Sequence, residues 1–346
     1  MRAARRDTTF LALLALLALL AATRPHPLTA QAGGDGDDST DARAARARQP
    51  DAPTDCRRCL NGHRFLFSPV VPDPFITTHF RSGTGGGFAT NLTVAVRNIE
   101  GEVVDSIGGD IGFLALDFEY AYAFTHWLAL RTSVTALGRV GTNAQSILAS
   151  GASALYGASF GATGRVWGSD AVQVSLTADA RRNQAWVVDP YRYAQAVAAG
   201  DTGATARAVL ISDVTANRYT GGVRAAWAPL AWLGLNALFE AGIGEDPNPG
   251  GGNEGVTEYG VLADVDSRPL WGFPLGVTLG YRGQSGAGRV SDVGGTASTY
   301  TMGFLYTGRS GYLIGLDGTW SRVDVEEPGV SKLDLVQARL ITRFDF

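Results

Sequence analysis

From residue 74 to the C-terminus, apolar and polar residues alternate one by one, in run after run of about a dozen residues. In one such run Leu116, Phe118, Tyr120, Tyr122 and Phe124 point one way, and Asp117, Glu119, Ala121 and Ala123 the other. A period of two belongs to the β-strand, whose successive side chains point to opposite faces. Length narrows the class. Soluble strands average about 5–6 residues, whereas a tilted strand that crosses hydrocarbon needs about 9–11. A chain of long strands with one apolar face exposes an unpaired edge unless it closes on itself, so the pattern predicts a closed barrel.

The alternation repeats through every hairpin. Opposite the apolar faces stand Asp117, Glu119, Arg131 and Arg139, then Arg165, Asp179 and Arg181, then Arg218, Arg224 and Glu240. Further along come Glu258, Asp264, Asp266 and Arg282, and finally Asp317, Arg339 and Arg343. These positions are expected to line the interior, with acid and base nearly balanced. Connections alternate in length. Those near 125, 169, 230 and 309 are short, with a slightly longer one at 268–274, while those near 141–149, 187–215, 245–255, 283–295 and 326–331 are longer. Short turns at one end and long loops at the other mark an up-and-down transmembrane barrel. Eleven strands follow residue 111, and parity asks for one more around Phe88–Arg97, with 74–81 extended ahead of it. The expectation is an all-β antiparallel barrel of about 12 strands, within a range of 10–14, over residues 74–346. The glycine clusters at 83–87 and 250–252 read as loops. Tyr122, Trp127, Trp227, Trp232 and Trp271 gather near the short turns, as an interfacial aromatic girdle does.

Composition agrees. The chain has 45 Gly among 346 residues and a mean hydropathy of only +0.02, because two opposite faces average out. Such a hydropathy excludes a bundle of membrane helices, 2 Cys exclude a disulfide scaffold, and 15 Phe, 11 Tyr and 7 Trp argue against wholesale disorder. A soluble sandwich or propeller also alternates, but rarely in strands this long.

The first 32 residues carry Arg2, Arg5 and Arg6, an apolar run over 11–22 too short for a comfortable helical span, and Ala30-Gln31-Ala32 as a cleavage site. They read as a cleaved export signal. What remains has 25 basic against 32 acidic residues, and shows no nucleic-acid footprint. Residues 33–55 lack aromatics and read as a disordered leader. Residues 56–73 open with Cys56 and Cys59, three apart in an exported chain, which points to a local disulfide. His63 supplies only a third ligand, short of the four that a metal site needs, and a βαβ redox context is absent. This segment either enters the barrel mouth as a plug or hangs in the periplasm.

The export signal, the hairpins from 111 to 346 and the terminal Arg343-Phe344-Asp345-Phe346 resemble the outer-membrane β-barrel proteins of double-membrane bacteria. The resemblance implies location in the outer membrane, the lipid bilayer as partner, and recognition of Phe344 and Phe346 by the barrel-assembly machinery. A fainter similarity, carried by the Tyr120–Leu130 hairpin, is to barrels that pass aromatic or other hydrophobic compounds.

Three functions fit such a barrel. A passive channel for small solutes would use the inward arginines and carboxylates as a constriction with a transverse field. An outer-membrane hydrolase would need an acidic site at the extracellular rim, since none of the four His sits on a mid-barrel face. A surface-binding or structural barrel would act through the loop at 187–215. No cofactor, metal or catalytic constellation is expected, and the channel is the preferred reading.

Overall fold

Twelve antiparallel strands close into a barrel. The computed structural model describes residues 56–97, 103–142, 152–188, 211–245, 252–286, 295–325 and 333–346, with isolated positions between 193 and 200. The export signal at 1–32, the leader at 33–55 and most of the 187–215 connection lie outside the described residues.

A small hairpin comes first, β1 (Cys59–Leu60) with β2 (His63–Arg64). Its turn is Asn61-Gly62, both at positive φ, the conformation that a two-residue hairpin demands and Asn-Gly adopts readily. The barrel strands are β3 (His79–Arg97), β4 (Val103–Ala123), β5 (Leu128–Gly141), β6 (Ala152–Gly168), β7 (Val172–Val188) and β8 (Ile211–Leu230). They continue as β9 (Leu233–Glu245), β10 (Asn253–Asp266), β11 (Leu275–Ser285), β12 (Gly295–Arg309), β13 (Tyr312–Val325) and β14 (Leu333–Asp345). Each pairs with its sequence neighbour, and β14 returns to β3 in a ladder from Asp334↔Thr90 to Asp345↔His79. One helical turn, α1 (Arg268–Trp271), caps the β10–β11 connection and ends on Gly272 at φ 70°. Among the described residues, no helix is long and apolar enough to cross a membrane.

The first strand corrects the sequence reading. Residues 83–87 lie inside β3 rather than in a loop. Gly83 stands opposite Asp117, and Gly85 opposite Arg339, on neighbouring strands. A methyl group at Gly83 would overlap the Asp117 carboxylate, and one at Gly85 would strike both the Arg339 side chain and the Ala338 carbonyl. Glycine in this strand makes room for a long side chain lying across the sheet, whereas glycine judged by propensity alone marks a turn.

Outside, the wall is apolar: Leu114, Phe118, Phe160, Leu176, Phe239, Leu279, Leu316 and Leu340 are all exposed. Tyr122, Trp127 and Trp271 are exposed near the short turns, and Trp227 and Trp232 are half-buried there. A second aromatic row runs toward the long loops. Tyr281 lies 6.1 Å from Tyr259 and 5.1 Å from Tyr300, and Tyr300 stacks 5.3 Å from Trp320. Arg322 sits 5.1 Å from the Trp320 ring centre and pairs with Asp334 at 3.0 Å, so charge returns just beyond the row. Tyr312, at the turn end of β13, and Trp320 are eight residues apart. At about 3.3 Å per residue and a tilt of about 40°, they are separated by roughly 20 Å of wall, close to the ~25 Å apolar band of a lipid-facing barrel.

Candidate functional site

Residues 56–78 lie within the end of the barrel that carries the short turns. Cys56 and Cys59 are bridged there. Apolar contacts form in three clusters. Phe65 and Phe75 pack with Ala226 and Ala228, Leu66 and Phe67 with Leu305, Leu313 and Ile341, and Val70 and Val71 with Leu238 and Leu262. Fully burying a side chain of this size contributes about 1.5–3 kcal/mol, so the six together hold the segment firmly.

Polar contacts fix its register. His63 Nε2 meets Asp264 Oδ1, with both side chains fully buried. Asp264 also accepts from the Leu66 N–H at 3.3 Å and from Asn236 at 3.1 Å. Gln173 and Ser175 both donate to the Pro74 carbonyl at 2.7 Å, and Arg282 donates to that of Val70 at 3.1 Å. Asp73 takes Arg58 at 2.7 Å and Arg343 at 3.2 Å. Burial alone would raise the Asp73 carboxyl, but Arg58, Arg343 and His79 outweigh it and hold it far below the ordinary carboxylate value. Two wall glycines complete the seat. A methyl group at Gly234 would strike His63 and Phe65, and one at Gly276 would strike Leu66.

Above the segment, the interior is crossed by charged pairs. Arg131 on β5 reaches over Gly161 on β6 to Asp179 on β7, at 2.6 and 2.5 Å. Arg131↔Gly161 and Gly161↔Asp179 are register partners, and a methyl group at Gly161 would overlap the Asp179 carboxylate. Glu240 and Glu258 are direct partners across β9 and β10, an unfavourable like-charge pair that arginines resolve. Arg224 takes Glu240 at 2.7 Å, while Arg218 and Arg282 take Glu258 at 3.0 and 2.5 Å. Asp317 receives Arg339 at 2.6 Å and Thr301 at 2.6 Å, and Glu119 receives His79 at 3.2 Å and Arg81 at 3.1 Å.

Each sequence-derived interior position can now be placed. Glu119, Arg131, Asp179, Arg218, Arg224, Glu240, Glu258, Arg282, Asp317 and Arg339 stand in the pairs above, and Asp117 lies over Gly83. Asp264 and Arg343 engage the segment, and Asp266 accepts from Thr307 at 3.1 Å. Arg139 donates to Ser153. Arg181 stands beside Arg218, its register partner. Arg165, the register partner of the inward Ser175, is exposed at the short-turn rim. Phe344 packs 4.8 Å from Tyr312 on the outer wall, and Phe346 is 66% exposed. Arg58, Asp73, Arg81, Gln173, Ser175 and Asn236 were not among the sequence-derived candidates. Alternation puts Gln173, Ser175 and Asn236 on the polar face, and parity with His79 does so for Arg81, but Arg58 and Asp73 of the segment carry no periodic signal.

Two spaces flank the segment. Beside it, at the turn end, an open cleft of about 990 Å³ is lined by Arg57, Asn61, His126, Arg165, Asp170 and Gln173. Deeper in, a cavity of about 30 Å³ lies among Asp73, His79, Arg81, Glu119, Arg131, Arg224 and Arg343. Among the described residues, no cluster of His, Cys, Asp and Glu could hold a metal ion.

No protein-family model matches the chain, and no curated protein matches it. Solved structures do. An outer membrane channel from Pseudomonas putida F1 is similar with a TM-score of 0.46 at 11% identity, over 81% of this chain and 100% of that one. The NanC porin is similar with a TM-score of 0.45 at 8% identity, over 77% and 100%. The translocator domain of the autotransporter NalP from Neisseria meningitidis is similar with a TM-score of 0.43 at 10% identity, over 78% and 89%.

Proposed function

We propose that this chain is an outer-membrane channel for small solutes that rests closed. The observation that carries the reading is the 30 Å³ cavity beneath the charged pairs. It holds about one water, and charged side chains surround it. A polar, ion-paired interior within an apolar wall suits a conduit for polar solutes, since arginines facing carboxylates set a transverse field across the path. Segment 56–78 acts as the plug: it leaves the cleft beside β6 and β7 as a vestibule and narrows the way beyond it. Passage then requires the segment to shift. The short-turn end, where the bridged cysteines and the C-terminal Phe346 lie together, faces the periplasm in this reading. Phe344 and Phe346, outward on the last strand, suit recognition by the assembly machinery.

Solute uptake into lipid vesicles tests the reading. Folded chain should admit small polar solutes slowly, and Arg224→Ala, which frees Glu240 and enlarges the cavity, should change the rate. Vesicles no more permeable than empty ones, with either protein, would overturn it.

A further inference from the structure

The charge balance of the lumen fails at one level. Arg131 and Arg224 face Asp179 and Glu240, two against two. On the loop side of them, Arg218 and Arg282 share the carboxylate of Glu258, and Arg181 stands beside Arg218 as a third arginine. Both Glu258 oxygens are taken: one by Arg282 at 2.5 Å, the other by Arg218 at 3.0 Å and Gln284 at 2.7 Å. Arg181, the register partner of Arg218, projects inward and makes no hydrogen bond or ion pair among the described residues. Arginine keeps its charge at any physiological pH, and its planar fork binds carboxylate or phosphate through two parallel hydrogen bonds. Low-dielectric walls focus the field of such a surplus on whatever enters. The floor of the site is the segment itself, since Arg282 also donates to the Val70 carbonyl.

We propose that Arg181, with Arg218 and Arg282, forms a binding site for a small anion carrying a carboxylate or phosphate group. The proposal rests on the channel reading for the solute's route to the site. Arg181 takes the anion bidentately, and Arg218 and Arg282 turn part of their donor capacity from Glu258 toward it. Glu258 stays ionised as the counter-charge that keeps the arginines from splaying.

Calorimetric titration of the detergent-folded full chain with succinate and with inorganic phosphate tests this. Saturable binding with one site per chain is expected. Arg181→Gln should weaken it at least tenfold, Arg181→Lys should fall between, and Arg309→Gln at the exposed β12–β13 turn should leave it unchanged. Arg181 has no hydrogen bond or ion pair to lose among the described residues, so these barrels should fold, as heat-modifiable gel migration would verify. Absence of saturable binding for both probes, or equal affinity in Arg181→Gln, would overturn the site. Bilayer current on the same preparations separates the two ideas. Binding without current leaves the site and removes the channel, whereas current without binding does the reverse.

Discussion

The two halves of the barrel interior solve opposite problems. Toward the short turns, the lumen is filled from within: six apolar side chains of residues 65–75 are buried, and Gln173, Ser175 and Asp264 of the wall hydrogen-bond to the segment. Toward the long loops it is propped open by arginine–carboxylate pairs spanning strands. Both halves use inward glycine for different ends. Gly234 and Gly276 yield space to a separate piece of chain, and Gly83 and Gly161 yield it to a charged side chain of the wall. One half is therefore a docking surface and the other a network of buried charged pairs, and perturbations should separate them.

The largest effect is expected at Asp264. Asp264→Ala leaves His63 buried without its partner, a class of change that costs about 3–5 kcal/mol. Hydrogen exchange at residues 63–71 should accelerate about 10²–10³-fold while β5–β7 amides keep their protection. Equal loss in both halves would mean that they are one unit. Gly276→Ala is smaller, because overpacking against Leu66 costs about 1–3 kcal/mol. It too should release the segment and spare the charged pairs, with protease sensitivity at Arg58 and Arg64 as the readout.

Acid acts on the docked half through Asp73. Its carboxyl is depressed in the folded chain, so the stabilisation it gives is complete above the free-carboxyl value of about 4 and is lost as pH falls toward the depressed one. Protection of residues 63–71 should be flat from pH 8 to about 5 and decline only in stronger acid. In Asp73→Asn that part of the decline should be missing. The smallest effect belongs outside both halves. Tyr300→Leu removes ring contacts at 5.1 and 5.3 Å and should lower refolding stability in lipid by about 0.5–1.5 kcal/mol, with the segment's exchange unchanged.

The charged half was far more legible in the sequence than the docked half. A period of two assigns Asp179, Glu240 or Arg282 to the interior without knowledge of any contact, because strand geometry alone decides the face. What it does not reveal is which arginine meets which carboxylate, since Arg131 and Asp179 lie 48 residues apart and skip a strand. The docked half depends on longer reach still. His63 and Asp264 are 201 residues apart, and Phe65, Leu66 and Phe67 follow one another with no alternation, so neither period nor spacing points to a partner. Strand β3 was obscured from the opposite side, because its glycines have meaning only beside Asp117 and Arg339.

The central claim is that docking of residues 56–78 closes the periplasmic end of a polar conduit. Planar-bilayer recording of the wild-type chain beside Gly234→Leu, whose new side chain displaces His63 and Phe65, tests it most directly. The wild type should carry a low or intermittent current and the variant a severalfold larger, sustained one. Equal currents from two folded barrels, or none from either, would contradict it.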